Sequence, residues 1–303
     1  MTMLEMGLLE PDELLRHYQN GKRDFGRVNL SEAVLIHMDL SGINLQGCGL
    51  VWSNASGTCL RGADLSLSNC TKVKLIQADL RDANLAGANL SGADLSWANL
   101  SGANLSGADL SEATLNAPVL AGCNLSRVNL RGANLRSIQL QGADFSGADL
   151  SGCNLKEALL SQASMTRVLL SEANLSGANL TEANLTRACM TRVTLVRADL
   201  RGIILNTASN LRRETISGAA LNNAIFVGAC LQGADLSGAN LSQANFSGAS
   251  LEGANLMGAN LTQANLSGAD FSGADLTKAD LGRATLAGVD LSGAKMPDGS
   301  IRN

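Results

Sequence analysis

The chain has 303 residues, 45% of them hydrophobic but only 3% aromatic, and a formal net charge of −4. That balance lacks the basic footprint and stacking aromatics of a nucleic-acid binder and offers an anionic membrane no attraction. Apolar material is ample, so a core is expected, but it must be narrow and built of Leu and Ala.

The opening MTMLEMGLLEPDELL has no basic segment followed by a long apolar core, and no later apolar run reaches membrane-span length. Neither a signal peptide nor a membrane helix is expected, and a cytoplasmic location is. Residues 11–20, PDELLRHYQN, read as a short helix. Pro11 suits its first turn, Asp12 and Glu13 its positive end and Gly21 its stop. Leu14, Leu15 and Tyr18 are expected to face the rest of the protein and lid its first layer.

From Phe25 to Leu205 a central residue recurs at every multiple of five, usually Leu, with Ala55, Cys70, Met165 and Met190 as exceptions. The rule is purest between Ala83 and Ala113: Ala, then Asn or Asp, then Leu, then two small or polar residues. Five is neither the helical nor the strand period, so an amphipathic helix would smear Leu85, Leu90, Leu95 and Leu100 around its circumference. Within a unit, Ala83 and Leu85 share one side of a short extended segment, and the pair that follows is turn chemistry. Such units bury nothing alone and must stack as coils. Outward positions are irregular at 46–78 and 114–205, where a surface function is sought. The pattern lapses over 206–220 and resumes at Leu221 one residue late, which predicts a loop near Leu211–Thr215 holding one inserted residue. It runs on to Met296, and the tail KMPDGSIRN is expected to cover the last coil.

These A(D/N)LXX units resemble the pentapeptide-repeat family. The resemblance implies an all-β fold, a right-handed quadrilateral β-helix of four pentapeptides per coil, with the short N-terminal capping helix in front. The domain reading is 1–23 for the N-terminal segment, 24–301 for the repeats interrupted near 206–216, and 302–303 for the end. A stack of four per coil sets Phe246 over Phe226 and, at the outward position, only Asp290 over another carboxylate, Asp270. LLRHYQNGKRDF and KMPDGSIRN are similar to cyanobacterial members, among them the group's heterocyst-differentiation regulator, which acts by binding another regulator.

No catalytic residue, cofactor or metal is expected. His17 and His37 are the only histidines, and the abundant Ser lacks a base. The seven cysteines form no CxxC; Cys48, Cys123 and Cys153 replace an inward Ala and Cys70 an inward Leu. The candidate partner-binding residues are Leu159, Arg167, Leu169, Arg187, Arg192, Val196, Arg197, Arg201, Arg212 and Arg213, a basic and apolar zone in an acidic chain, with Ile204 beside it. Trp52 and Trp97, also outward, are further possible anchors. The expected function is a non-catalytic docking scaffold or regulator with a regulatory protein as partner, no direct nucleic-acid binding, no membrane, and a monomer favoured over a homodimer. The alternative is a DNA-mimicking binder of DNA gyrase, like the quinolone-resistance members of the family; the mild charge and the positive zone weigh against it.

Overall fold

The computed structural model describes residues 8–205, 211 and 215–302. Helix α1, Pro11–Gln19, starts with Pro in its first turn, carries Asp12 and Glu13 there and ends at Asn20. Leu14 is fully buried, and the Tyr18 hydroxyl donates to the Ser41 carbonyl at 2.8 Å. Gly21 follows at φ +90, a left-handed conformation that stops the helix at little cost.

After α1 the backbone is organised by one interval. Parallel bridges join residues 20 apart, such as Asp64 to Asn84 to Asn104 in one column and Asn69 to Asn89 to Asp109 in the next. Four pentapeptides therefore complete a coil. On each side the central residue and the corner donate forward, as Leu45 N–H does to the Asp64 carbonyl (2.7 Å) and Gly47 N–H to that of Ser66 (2.9 Å). Asp64 N–H donates back to the Ile43 carbonyl at 2.9 Å. The expected all-β character takes the form of isolated bridges, one residue per side, because a side of three residues between turns leaves no room for a longer ladder.

The turn between sides closes through bonds such as Cys48 N–H to the Leu45 carbonyl, 3.1 Å. Its third residue is at φ near +60 throughout, whether Gly or not: +65 at Gly47, +60 at Trp52, +57 at Leu67. The inward stripes are those read from the period. Leu100 is 1% exposed, and Ala55, Cys70, Met165 and Met190 are buried where Leu would stand. Phe226 and Phe246 stack with ring centroids 4.6 Å apart. Asp270 does bridge Asp290 directly. Ser53, Thr58 and Ser68 take inward Ala positions and satisfy their hydroxyls on backbone carbonyls of Leu50, Leu35 and Leu65 at 2.6–2.8 Å.

Across the irregular segment the bridge interval becomes 21, from Thr194 to Thr215, Asp199 to Ala220 and Ile204 to Ile225, which confirms one inserted residue. Most of the expected loop, residues 206–210 and 212–214, lies outside the described residues. Leu211 is fully buried and donates to the Cys230 carbonyl at 2.9 Å, Thr215 bridges, and Ile216 is buried, so the inward register is back at Leu211, earlier than the sequence pattern at Leu221 suggests. An inward Leu holds the core even where the outward pattern is lost.

By compactness the chain divides into two units, Met1–Gln139 with Ala143–Asp149, and Leu140–Gly142 with Leu150–Asn303. No helix among the described residues is long and apolar enough to cross a membrane.

Candidate interaction surface

All described candidate residues lie in the second unit. Their arrangement follows from the coil whose four sides carry Asn184, Cys189, Thr194 and Asp199. Arg187 sits at the corner between the first and second of these sides, Arg192 at the next corner, Val196 and Arg197 at the third, and Arg201 where the chain leaves the fourth. Arg167 stands one coil before Arg187 at the same corner. Leu169 follows Arg167 on the second side, bridged to Cys189, and Leu159 lies on the fourth side in the column of Asn179 and Asp199. The ten-residue zone is thus not one surface: the described members are spread around all four corners. Residues close in sequence turn a corner every five positions, so proximity along the chain scatters them. Arg212 and Arg213 lie outside the described residues.

Electrostatics thins the zone further. Arg192 pairs with Glu172 directly across one coil. Arg201 forks onto the carboxylate of Asp199, its Nε 2.8 Å from Oδ1 and an Nη 2.6 Å from Oδ2. Those side-chain hydrogen bonds hold the Asp199 carboxyl below its usual range. Arg167, Arg187 and Arg197 are exposed and have no ion-pair partner among the described residues. Arg167 and Arg187, one coil spacing apart (about 4.8 Å between backbones), form a two-cation corner beside Leu169, which is 42% exposed. Val196 is 45% exposed next to Arg197, whereas Leu159 and Ile204 are half-buried.

Chemistry of other kinds finds little to build on. Among the described residues no group of three or more His, Cys, Asp or Glu is placed to hold a metal ion. His17 leans on Glu13 within α1 at 3.5 Å, and the His37 imidazole lies against Gly57 one coil on. No disulfide joins any of the seven cysteines, and burial raises the thiols of Cys70 and Cys123 to about 11, keeping them in the unreactive protonated form. Trp52 and Trp97 are exposed in the first unit, Trp52 with the Lys72 ammonium 4.5 Å from its ring centroid. That stack, 20 residues apart at one corner, becomes visible only once the coil length is known.

The family model for pentapeptide repeats matches nine overlapping segments running from residues 24–62 to 264–298. Among solved structures, the chain is similar to HetL, a pentapeptide repeat protein involved in heterocyst differentiation regulation from the cyanobacterium Nostoc sp. strain PCC 7120. The identity is 32% over 97% of this chain and 100% of that one, with a TM-score of 0.27. It is similar also to alr5209, a pentapeptide repeat protein from Nostoc PCC 7120, at 28% identity over 50% of this chain and all of that one (TM-score 0.25). QnrB1, a plasmid-mediated fluoroquinolone resistance protein, shares 22% over 70% and 86% (TM-score 0.29). No curated protein matches the chain in sequence. With a coil closed every 20 residues and the family model matched along most of its length, the chain belongs to the pentapeptide-repeat family.

Proposed function

We propose that the protein is a non-catalytic docking scaffold that recognises an acidic surface on a regulatory protein through the corner formed by Arg167, Arg187 and Leu169. The observation that carries this reading is a corner where Arg167 and Arg187, both exposed and without an ion-pair partner among the described residues, recur one coil apart, with the exposed Leu169 on the side that follows, in a chain of net charge −4. Arg forks suit carboxylates, and a neighbouring apolar anchor supplies the desolvated centre that a rim of charge lacks. Arg197 with Val196 forms a second, smaller pair two corners away. The terminal segments LLRHYQNGKRDF and KMPDGSIRN support a cyanobacterial setting and a regulatory role in differentiation. A cytoplasmic location and the right-handed winding of the coils belong to the same reading.

Affinity capture from a cyanobacterial lysate tests it, with wild type, Arg167→Glu/Arg187→Glu and, as a charge-matched control, Arg192→Glu/Arg201→Glu. A protein held by wild type and the control but lost from the first variant identifies the partner. Equal capture by all three overturns the assignment of this corner as the docking site. Recovery of gyrase subunits by all three moves the DNA-mimic reading forward.

A further inference from the structure

In the first unit, one side of the coil gathers exposed apolar groups and cations. Its outward centres are Val34, Asn54, Lys74 and Asp94, joined in one column of parallel bridges. The two corners that bound it carry Trp52 and Trp97, the only tryptophans of the chain: Trp52 lies two residues before Asn54, and Trp97 three residues after Asp94. Two coil spacings, about 10 Å along the axis, separate them. In the coil between, Lys72 stands at the Trp52 corner, Lys74 on the side and half-buried Ile76 beyond it, so Lys74 lies on the diagonal from one tryptophan to the other. Val34 and Ile36, both exposed, extend the apolar groups one coil before Trp52. The tryptophans are costly at these positions. Their φ values, +60 at Trp52 and +57 at Trp97, disfavour any side chain with a Cβ, and they stay 57% and 59% exposed. Neither backbone preference nor burial accounts for them, and strain of this kind points to a use at the surface. The Lys72 ammonium rests over the Trp52 ring, and neither Lys72 nor Lys74 has an ion-pair partner among the described residues; the ion pairs of these coils, Arg61 with Asp82 and Arg81 with Asp79, form around another corner. Asp94, the one acid between the two tryptophans on this side, is half-buried and accepts the Ser96 N–H at 3.0 Å.

We propose that this side docks an acidic peptide segment of a partner protein, with carboxylates on Lys72 and Lys74 and an apolar residue seated between Trp52 and Trp97. Charge complementarity selects the occupant. Two ammonium groups without ion-pair partners, flanked by two indoles, give a carboxylate a contact from which neighbouring apolar surface excludes water, and Trp is among the residues most enriched as interface anchors. An anionic lipid surface fits less well. Asn54, Ser56 and Asp94 occupy the side between the tryptophans and would lose their water on insertion, and Glu32 and Glu112, at the same corner as Trp52, repel anionic headgroups. The site falls in the stretch 46–78 and the coil that follows it, within the first unit, and is independent of the Arg167 corner.

Panning a displayed library of random dodecapeptides on the full chain tests this. The expected result is enrichment of sequences that combine several acidic residues with an apolar one. A synthetic peptide from that set should shift the intrinsic tryptophan emission, a signal that arises on this side alone because Trp52 and Trp97 are the only tryptophans. Its dissociation constant should rise roughly 10-fold or more in Trp97→Gly and in Lys72→Glu/Lys74→Glu. In Arg167→Glu/Arg187→Glu it should stay as in wild type, which separates this site from the Arg167 corner. Glycine suits the corner conformation, so Trp97→Gly is expected to fold; either variant of this side decides alone if the other does not fold. Enriched peptides without acidic residues overturn the proposal, as does a peptide that binds all variants equally or loses affinity only in the Arg167 variant. An emission shift with phosphatidylserine vesicles and none with peptide overturns it in favour of a lipid surface.

Discussion

At the corner residue of each pentapeptide, the backbone asks for one conformation and the sequence supplies many side chains. The third turn residue is at φ near +60 in Gly and in Arg, Glu, Gln and Trp alike. For L-residues this region costs free energy through the crowding of Cβ against the backbone, so a non-Gly corner trades some stability for what its side chain does. Lys72 uses the position to reach Trp52, and Arg167 and Arg187 use it to project charge. Leu67 is 68% exposed at φ +57 and gains little burial. Leu67→Gly is therefore expected to stabilise the protein by about 0.5 kcal/mol, the relief of left-handed strain slightly outweighing the added chain entropy. Thermal melting reads this as a small upward shift, and a lower melting temperature would show that Leu67 contributes packing that its exposure hides.

The side of the coil, as an element, is organised by its Asn or Asp. That side chain turns back onto the N–H two residues on, as Asn29 Oδ1 does for Ser31 (3.0 Å) and Asp64 Oδ1 for Ser66 (2.9 Å). An Asn adds a second bond, its amide donating to the residue one coil below: Asn84 to Asp64 at 3.2 Å, Asn104 to Asn84 at 3.3 Å, Asn129 to Asp109 at 2.9 Å. Asp accepts from above but cannot donate downward, so an Asn one coil above an Asp, as Asn84 is above Asp64 and Asn129 above Asp109, supplies the missing donor. Asn84→Asp removes the donor to Asp64 and sets carboxylate on carboxylate across a bridge. The expected loss is about 1 kcal/mol, larger at low ionic strength. Melting of the variant against wild type at two salt concentrations checks this; equal loss at high and low salt would leave only the missing hydrogen bond as its cause.

For the molecule as a whole, stability is a sum over neighbouring coils rather than the property of one compact centre. Leu100 illustrates the consequence: it is 1% exposed, and its N–H donates to the Val119 carbonyl at 2.8 Å in the adjoining coil. Leu100→Asp places an unpaired charge in a core of Leu and Ala, a cost of several kcal/mol. The coils on either side are expected to unfold with it. Circular dichroism and limited proteolysis should show loss of ordered structure around residue 100, and a variant that melts like wild type would mean that position 100 does not face inward.

What the sequence determined by itself was everything that depends on spacing within a unit. The five-residue period assigns in and out, because alternate residues of a short extended segment face opposite ways. Ala55, Cys70, Met165 and Met190 could therefore be placed in the core, and one inserted residue could be recognised. What only the tertiary structure decided depends on residues about 20 apart or on the end of the stack. It separated Arg187, Arg192, Arg197 and Arg201 onto four corners, paired Arg192 with Glu172, and returned Leu211 to the core. It also laid the tail KMPDGSIRN against a single side rather than over the whole last coil, Ile301 bridging Lys295, and set Lys74 between Trp52 and Trp97. The physical reason is the turn at every fifth residue: neighbours in sequence part company at each corner, and contacts form between residues one coil apart.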